Sequence, residues 1–365
     1  MNSTSILREQ MFNEDILSKT IQFVRFPLIV GVVMIHSGLE NCINTADYQY
    51  FSTIQFLISR VIARVAVPLF FFISGFLFFY KVDTFTLHTY FSKLKKRFRS
   101  LLIPYIFWNL IILLGLWCIQ TLFPSLFNRG QLIREYGICD WLRCFWNGPV
   151  ENVPINTALW FIRDLMVMCC LSPIIWILVK KRGGVIVCIL GILWLFGYWF
   201  TLPGLSIVAI FFFTTGAWFS ISNKNFITAF NPNKYLFYTI LYALSCAICV
   251  LYNNWGYCGY FYVANVNIGI GIIAVITVVG HFIEKGCWVP NTFLAESSFF
   301  IYCYHLTLAF ARKFIVKIWD FNSVSMCFLL YIGWPAFIIC LGLGIYYVLK
   351  RHFPKFTIFI MGGRS

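Results

Sequence analysis

Ile21-Gln-Phe-Val-Arg25-Phe-Pro-Leu-Ile-Val-Gly-Val-Val-Met-Ile-His36-Ser-Gly38 is an apolar run interrupted by two ionisable side chains. Its length and hydropathy predict a membrane helix. Arg25 and His36 stand 11 positions apart. At about 100° per residue this is roughly 20° past three full turns, so both project from nearly one face. The rise between them is about 16 Å, half the hydrocarbon thickness. An ionisable residue inside a bilayer is costly and marks a functional site by default. Two on one stripe predict a polar track through the protein interior. The alternative is that Arg25 snorkels to the cytoplasmic headgroups while His36 caps the far end.

The rest of the chain agrees with a membrane setting. Of 365 residues, 60% are hydrophobic, 20% aromatic and only 11% charged. A soluble domain has about 45–50% apolar and about 25% charged residues. The long apolar segments do not alternate, which predicts helices rather than a barrel. The expected fold is an all-α integral membrane protein with about ten transmembrane helices. They lie near 21–38, 56–80, 101–123, 157–179, 184–201, 205–222, 235–252, 261–283, 293–311 and 324–349. Residues 1–20 read as a polar lead without a cleavable signal, 21–350 as the membrane domain and 351–365 as a tail. No internal repeat is visible.

The net charge is +15. In a soluble chain this would point to nucleic acid. Here the basic residues flank apolar segments, so they point to anionic lipid headgroups and exclude a nucleic-acid partner. With the N-terminus inside, the inner segments hold 19 Lys/Arg and the outer ones 6. That bias predicts both termini in the cytoplasm, although the cluster Arg312 to Lys317 fits it poorly. Thr86 to Ser100 holds Lys93, Lys95, Lys96, Arg97 and Arg99. It reads as an amphipathic interfacial helix before the third membrane helix. The loop near 124–156 mixes Trp141 and Trp146 with charges and reads equally as a sugar site or as an interfacial cap.

Three further segments carry polar groups in apolar surroundings. Arg60 and Arg64, at i and i+4, are expected one above the other before Pro68, Ser74 and Gly75. Ser74 and Gly75 permit close helix packing. Arg163 and Asp164 open the fourth helix and demand interior partners, either in a structural ion-pair network or in a site. Glu296 and His305 fall on opposite faces of the ninth helix, so they are not expected to share a site. His305 reads as a core histidine bonded to a carbonyl. Of 14 cysteines most behave as small hydrophobes. Cys246-x-x-Cys249 lacks a second pair or histidine, so no metal is expected, and a disulfide among Cys42, Cys139, Cys144 and Cys258 stays open. No nucleotide-binding P-loop and no His-Glu-x-x-His occurs. Two classes remain: an enzyme performing transfer chemistry in the track, or a transporter using it.

These residues in this order resemble the membrane-bound acyltransferase family 3, whose members O-acylate bacterial surface polysaccharides and related glycoconjugates. Arg25-x10-His36, the run Arg64-Val-Ala-Val-Pro-Leu-Phe-Phe-Phe-Ile-Ser-Gly, the basic run Lys96 to Tyr105, Leu159-Trp160-Phe161 to Leu165, and Phe300-Ile-Tyr302 to His305 carry the resemblance over nearly the whole chain. One departure is Ser100, where many members have the second arginine of an Arg-x-x-Arg; Arg99 is the expected substitute. The resemblance implies an acyl-CoA donor, acetyl-CoA foremost, held at Lys96, Arg97 and Arg99. It implies a glycan or lipid-linked sugar acceptor, and His36 with Arg25 as catalytic residues, His36 as general base or as transient carrier of the acyl group. Arg64, Trp160 and Arg163 become oxyanion or acceptor-side candidates. The expected setting is the inner membrane, with export of polysaccharide or lipid-linked sugar as the alternative function.

Overall fold

Every described element is helical, as apolar segments denied water must be if their backbone groups are to bond internally. The computed structural model describes residues 3–39, 49–123, 132–148, 152–256, 259–308, 311–312, 315–316 and 323–364, with side chains from residue 13 onward. The first helix, α1 (Ser3–Ile35), runs without a break from the polar lead through the quoted stretch, with Pro27 inside it. Val24, Leu28, Ile29, Val32 and Val33 are buried along it. It packs on α3 (Ala66–Phe79), α12 (Tyr260–Glu284), α13 (Thr292–Tyr304) and α14 (Val324–His352), which makes it the axial element.

The second membrane segment is one continuous path with three helical pitches. It starts as α2 (Gln49–Gln55), loosens to π-helix over Phe56–Ile62, tightens to 3₁₀ over Ala63–Val65 and continues as α3. Ser59 locks the loosened turn: its hydroxyl donates to the Met34 carbonyl at 2.7 Å and shares a hydrogen bond with the Tyr331 hydroxyl at 2.7 Å. Further along, α3 crosses α9 (Ile207–Ile221) at backbone contact. A Cβ on Gly75 would lie 2.0 Å from the Phe213 carbonyl oxygen, and one on Gly216 1.9 Å from that of Phe72. Only glycine permits that approach, the small-residue packing that holds helices together where lipid removes the hydrophobic incentive.

The expected interfacial helix is α4 (Leu87–Arg97), with Thr86 as its N-cap and no buried residue. It passes through a π-helical Phe98–Leu102 into α5 (Ile103–Leu122). After α6 (Ile138–Arg143), α7 (Trp160–Cys170) and α8 (Ser172–Phe196) meet at a bend of 66°. Beyond α10 (Phe226–Phe230), α11 (Tyr235–Asn254) buries only Ser245, Cys246 and Cys249, against α12, where Ser245 donates to Asn267 at 2.7 Å. Following α14, the turn at Phe353 sends α15 (Pro354–Ile360) back against α5.

About ten spans were expected, and helices occupy all ten places. Six described helices are long and apolar enough to cross a membrane, or seven if the bent pair α7–α8 counts as one. Part of the shortfall is one of length: the 15 residues of α9 and 13 of α13 reach about 22 and 20 Å, below the roughly 30 Å of hydrocarbon. The rest arises because the spans expected at 157–179 and 184–201 form the bent pair α7–α8, which counts at most once. Residues 351–365 were expected only as a tail. Instead Thr357, Ile360 and Met361 are buried against the bundle, so this segment is part of it.

Candidate active site

Part of the predicted stripe on α1 lines a cavity: Arg25 does, whereas His36 is not among its lining residues. Arg25, Ile29 and Val32 form one wall of a space of about 450 Å³, within the range of small-molecule sites. The opposite walls come from α3 through Phe70, Ser74 and Leu77, from α7 through Phe161, and from α13 through Glu296, Ser298 and Tyr302. Arg97, at the end of α4, and Arg364, beyond α15, close the basic end. Arg25 also borders an adjoining cavity of about 250 Å³ between Leu17, Gln22 and Tyr80. Among the described residues no carboxylate pairs with Arg25, Arg97 or Arg364. The one cavity carboxylate, Glu296, is held by Lys350. The basic end therefore carries uncompensated positive charge.

One turn past Val32 on the same face lies His36, half-buried. Its ring stands 5.3 Å from that of His305, tilted by 46°. His305 follows α13, where Nδ1 meets the Tyr302 carbonyl at 2.7 Å. A carbonyl can only accept, so in the neutral ring Nδ1 carries the hydrogen and Nε2 the lone pair. That Nε2 is buried without a hydrogen-bond partner. Arg312 closes the same corner, its Nη1 donating to the His36 carbonyl at 3.2 Å. Tyr302 links the two ends: its side chain lines the cavity, its hydroxyl donates to the Ala158 carbonyl, and its own carbonyl orients His305.

The remaining expected residues divide sharply. Of the three basic residues assigned to the donor, Arg97 lines the cavity, whereas Lys96 and Arg99 are exposed and do not. At about 100° per residue Lys96 and Arg99 point well away from Arg97, and Arg99 already lies in the π-helical turn. Arg64 is exposed beside Tyr260, away from the cavity. Arg60 is nearby as well, its carbonyl accepting from the Tyr260 hydroxyl at 3.5 Å. Arg163 is consumed structurally. Its Nε and Nη2 both lie 3.0 Å from Asp164 Oδ1, and Nη1 donates to the carbonyls of Trp146 (2.8 Å) and Asn152 (2.7 Å). With every guanidinium nitrogen engaged and one of its five N–H groups uncommitted, it is held as a clamp between Asp164 and two loop carbonyls. Trp160 is half-buried with its ring 6.0 Å from Phe71; its neighbour Phe161 reaches the cavity.

Three contributors were not expected. His305 reads from the sequence as a core histidine bonded to a carbonyl, and the Tyr302 carbonyl is that partner; what its own helix does not tell is that its ring meets His36. Tyr302 was quoted only as part of a segment. Arg364 gave no signal at all, since nothing in its local sequence tells that the chain folds back. In the loops, Cys139 and Cys144 are free thiols, while Cys42 and Cys258 lie outside the described residues. Among the described residues no group of three or more His, Cys, Asp or Glu gathers to hold a metal ion.

Comparison with known proteins adds to this geometry. The family described as an acyltransferase domain, acyltransferase 3, matches residues 19–351. The succinoglycan biosynthesis protein ExoH of Rhizobium meliloti (strain 1021) is 26% identical over 175 residues, covering 45% of this chain and 44% of that protein. The chain thus aligns with less than half the length of that relative. No solved structure matches.

Proposed function

Since the chain belongs to the acyltransferase 3 family, we propose that it is a multi-pass membrane O-acyltransferase. It moves an acyl group, acetyl in the simplest case, from a cytoplasmic coenzyme A thioester to a hydroxyl of a surface polysaccharide or lipid-linked glycan. The observation that carries this reading is the cavity on α1, with unpaired arginines at one end and a histidine pair one turn beyond the other. Phosphates of the donor bind Arg25 and Arg97 through charge-assisted hydrogen bonds, and the thioester points along Ile29 and Val32 toward His36. The polysaccharide acceptor is supported by the likeness to a protein of succinoglycan biosynthesis.

The chemistry follows from neutral imidazoles. The acceptor hydroxyl gives its proton to His36 as its oxygen attacks the thioester carbonyl. The tetrahedral oxyanion then collapses, the C–S bond breaks, and the departing thiolate takes the proton from His36. His305, with its tautomer fixed by the Tyr302 carbonyl, supports the imidazolium from the adjacent ring. Arg312, which donates to the His36 carbonyl, is the cation we assign to the developing oxyanion in preference to Arg64 or Arg163. In the full assignment the basic end faces the cytoplasm, both termini lie on that side, and the membrane is the inner one. The test uses purified protein supplied with acetyl-coenzyme A. Free coenzyme A is expected to appear and to rise when acceptor glycan is added. Transport of the glycan without coenzyme A release would overturn the reading.

A further inference from the structure

The basic end of the cavity contains a residue from an unexpected place. After α15 the chain makes two left-handed turns, Gly362 with φ +65° and Gly363 with φ +81°. A Cβ on Gly362 would lie 2.7 Å from the Ser100 backbone, so the segment presses directly on the π-helical turn that follows Arg97. Both conditions, positive φ and backbone contact, require glycine. The turn is tied back by Gly363 N–H to the Ile358 carbonyl at 2.7 Å, and by Gly362 N–H to that of Phe359 at 3.0 Å. What this anchoring delivers is Arg364. Its guanidinium lies 3.7 Å over the Phe299 ring on the cavity wall, and its Nη1 is buried without a hydrogen-bond partner.

Three guanidiniums thus converge on one space, with the single carboxylate there neutralised by Lys350. Burial lowers Arg364 to about 10; the nearby Cys303 opposes this, while Arg97 and Arg25 add to it, and the group stays cationic at neutral pH. Gathering three like charges around one space is unfavourable unless an anion joins them. We propose that Arg364 is a binding residue for a phosphate-bearing ligand, completing with Arg25 and Arg97 a three-arginine site that clamps the pyrophosphate of the donor. This rests on the donor reading above, whereas the anion site itself does not. Two observations bear it independently: a dedicated glycine turn places the residue on the cavity lining, and its buried Nη1 has no hydrogen-bond partner within the protein.

The experiment uses the full chain in nanodiscs of neutral lipid, with calorimetric titration of inorganic pyrophosphate and of coenzyme A. Arg364→Ala is expected to weaken both by about tenfold or more, the worth of one charge-assisted hydrogen bond, with thermal stability retained. In turnover it raises KM for acetyl-coenzyme A and leaves kcat near its original value. Arg364→Lys restores part of the affinity, and Lys355→Ala, exposed on α15, leaves it unchanged. Gly362→Ala reproduces the Arg364→Ala defect with all three arginines intact. Unaltered pyrophosphate and coenzyme A binding by Arg364→Ala would overturn the proposal while leaving the enzymatic reading standing. Loss of pyrophosphate binding in a protein that releases no coenzyme A would keep the anion site and sink the enzymatic reading. Loss of stabilisation by phosphatidylglycerol, with coenzyme A binding unchanged, would assign the site to a lipid headgroup and overturn the donor clamp.

Discussion

His36 and His305 are the residues on which the proposed chemistry turns, and they answer to different tests. Replacing His36 by alanine removes the base itself. It is expected to cost about 10²–10⁴ in kcat, measured as acetyl-coenzyme A turnover, with little change in donor binding. His305→Ala is expected to lower kcat less, because it acts through the neighbouring ring. Arg163 belongs to a different category. It is bonded to Asp164 in a pair exposed by only 5% and 1%, and holds two loop carbonyls besides. Asp164→Ala leaves a buried guanidinium without its counterion and should destabilise by about 3–5 kcal/mol, read as a drop in thermal unfolding temperature in detergent. The sequence marked both arginine and carboxylate as needing interior partners. Which partners they found depended on a loop returning over α7.

Among the elements, α1 was the most legible, because periodicity along one helix specifies which residues share a face. It does not specify which other helix meets that face. For this reason the phase argument correctly separated Glu296 from His305 and yet missed that His305 meets α1. The second segment was less legible, since the Arg60–Arg64 spacing assumes 3.6 residues per turn and the chain there adopts π and then 3₁₀ pitch. Its glycine signal is firmer. Gly216→Ala places a methyl group 1.9 Å from the Phe72 carbonyl oxygen, so α9 must move off α3. The expected loss is about 1–3 kcal/mol, the usual cost of overpacking, again seen as a lower unfolding temperature. Gly344→Ala, which meets nothing within 4 Å, serves as the neutral control.

For the molecule as a whole, orientation and cavity are the two properties that bear on function. The proposed orientation places the basic helix α4 in the cytoplasm and the loop around α6 outside. With Cys42 and Cys258 replaced by serine, Cys139, exposed on α6, should react with a membrane-impermeant maleimide in intact cells, and adding Cys139→Ser should remove that labelling. A Lys95→Cys change on that background should label only after permeabilisation. The reverse pattern would invert the topology and put the arginine-rich end of the cavity where no coenzyme A is found.

Composition and hydropathy by themselves determined that this is a helical membrane chain, and one helical phase determined that Arg25 and His36 share a face. Those properties are additive or local, so they can be read without knowing neighbours. Only the tertiary structure decided that Arg64, Lys96, Arg99 and Arg163 stay off the cavity, that His305 stands opposite His36, and that Arg364 closes the basic end. Each of these depends on which surfaces meet across large sequence separations, and packing among several apolar faces of similar hydrophobicity leaves no mark in the local pattern of any one of them.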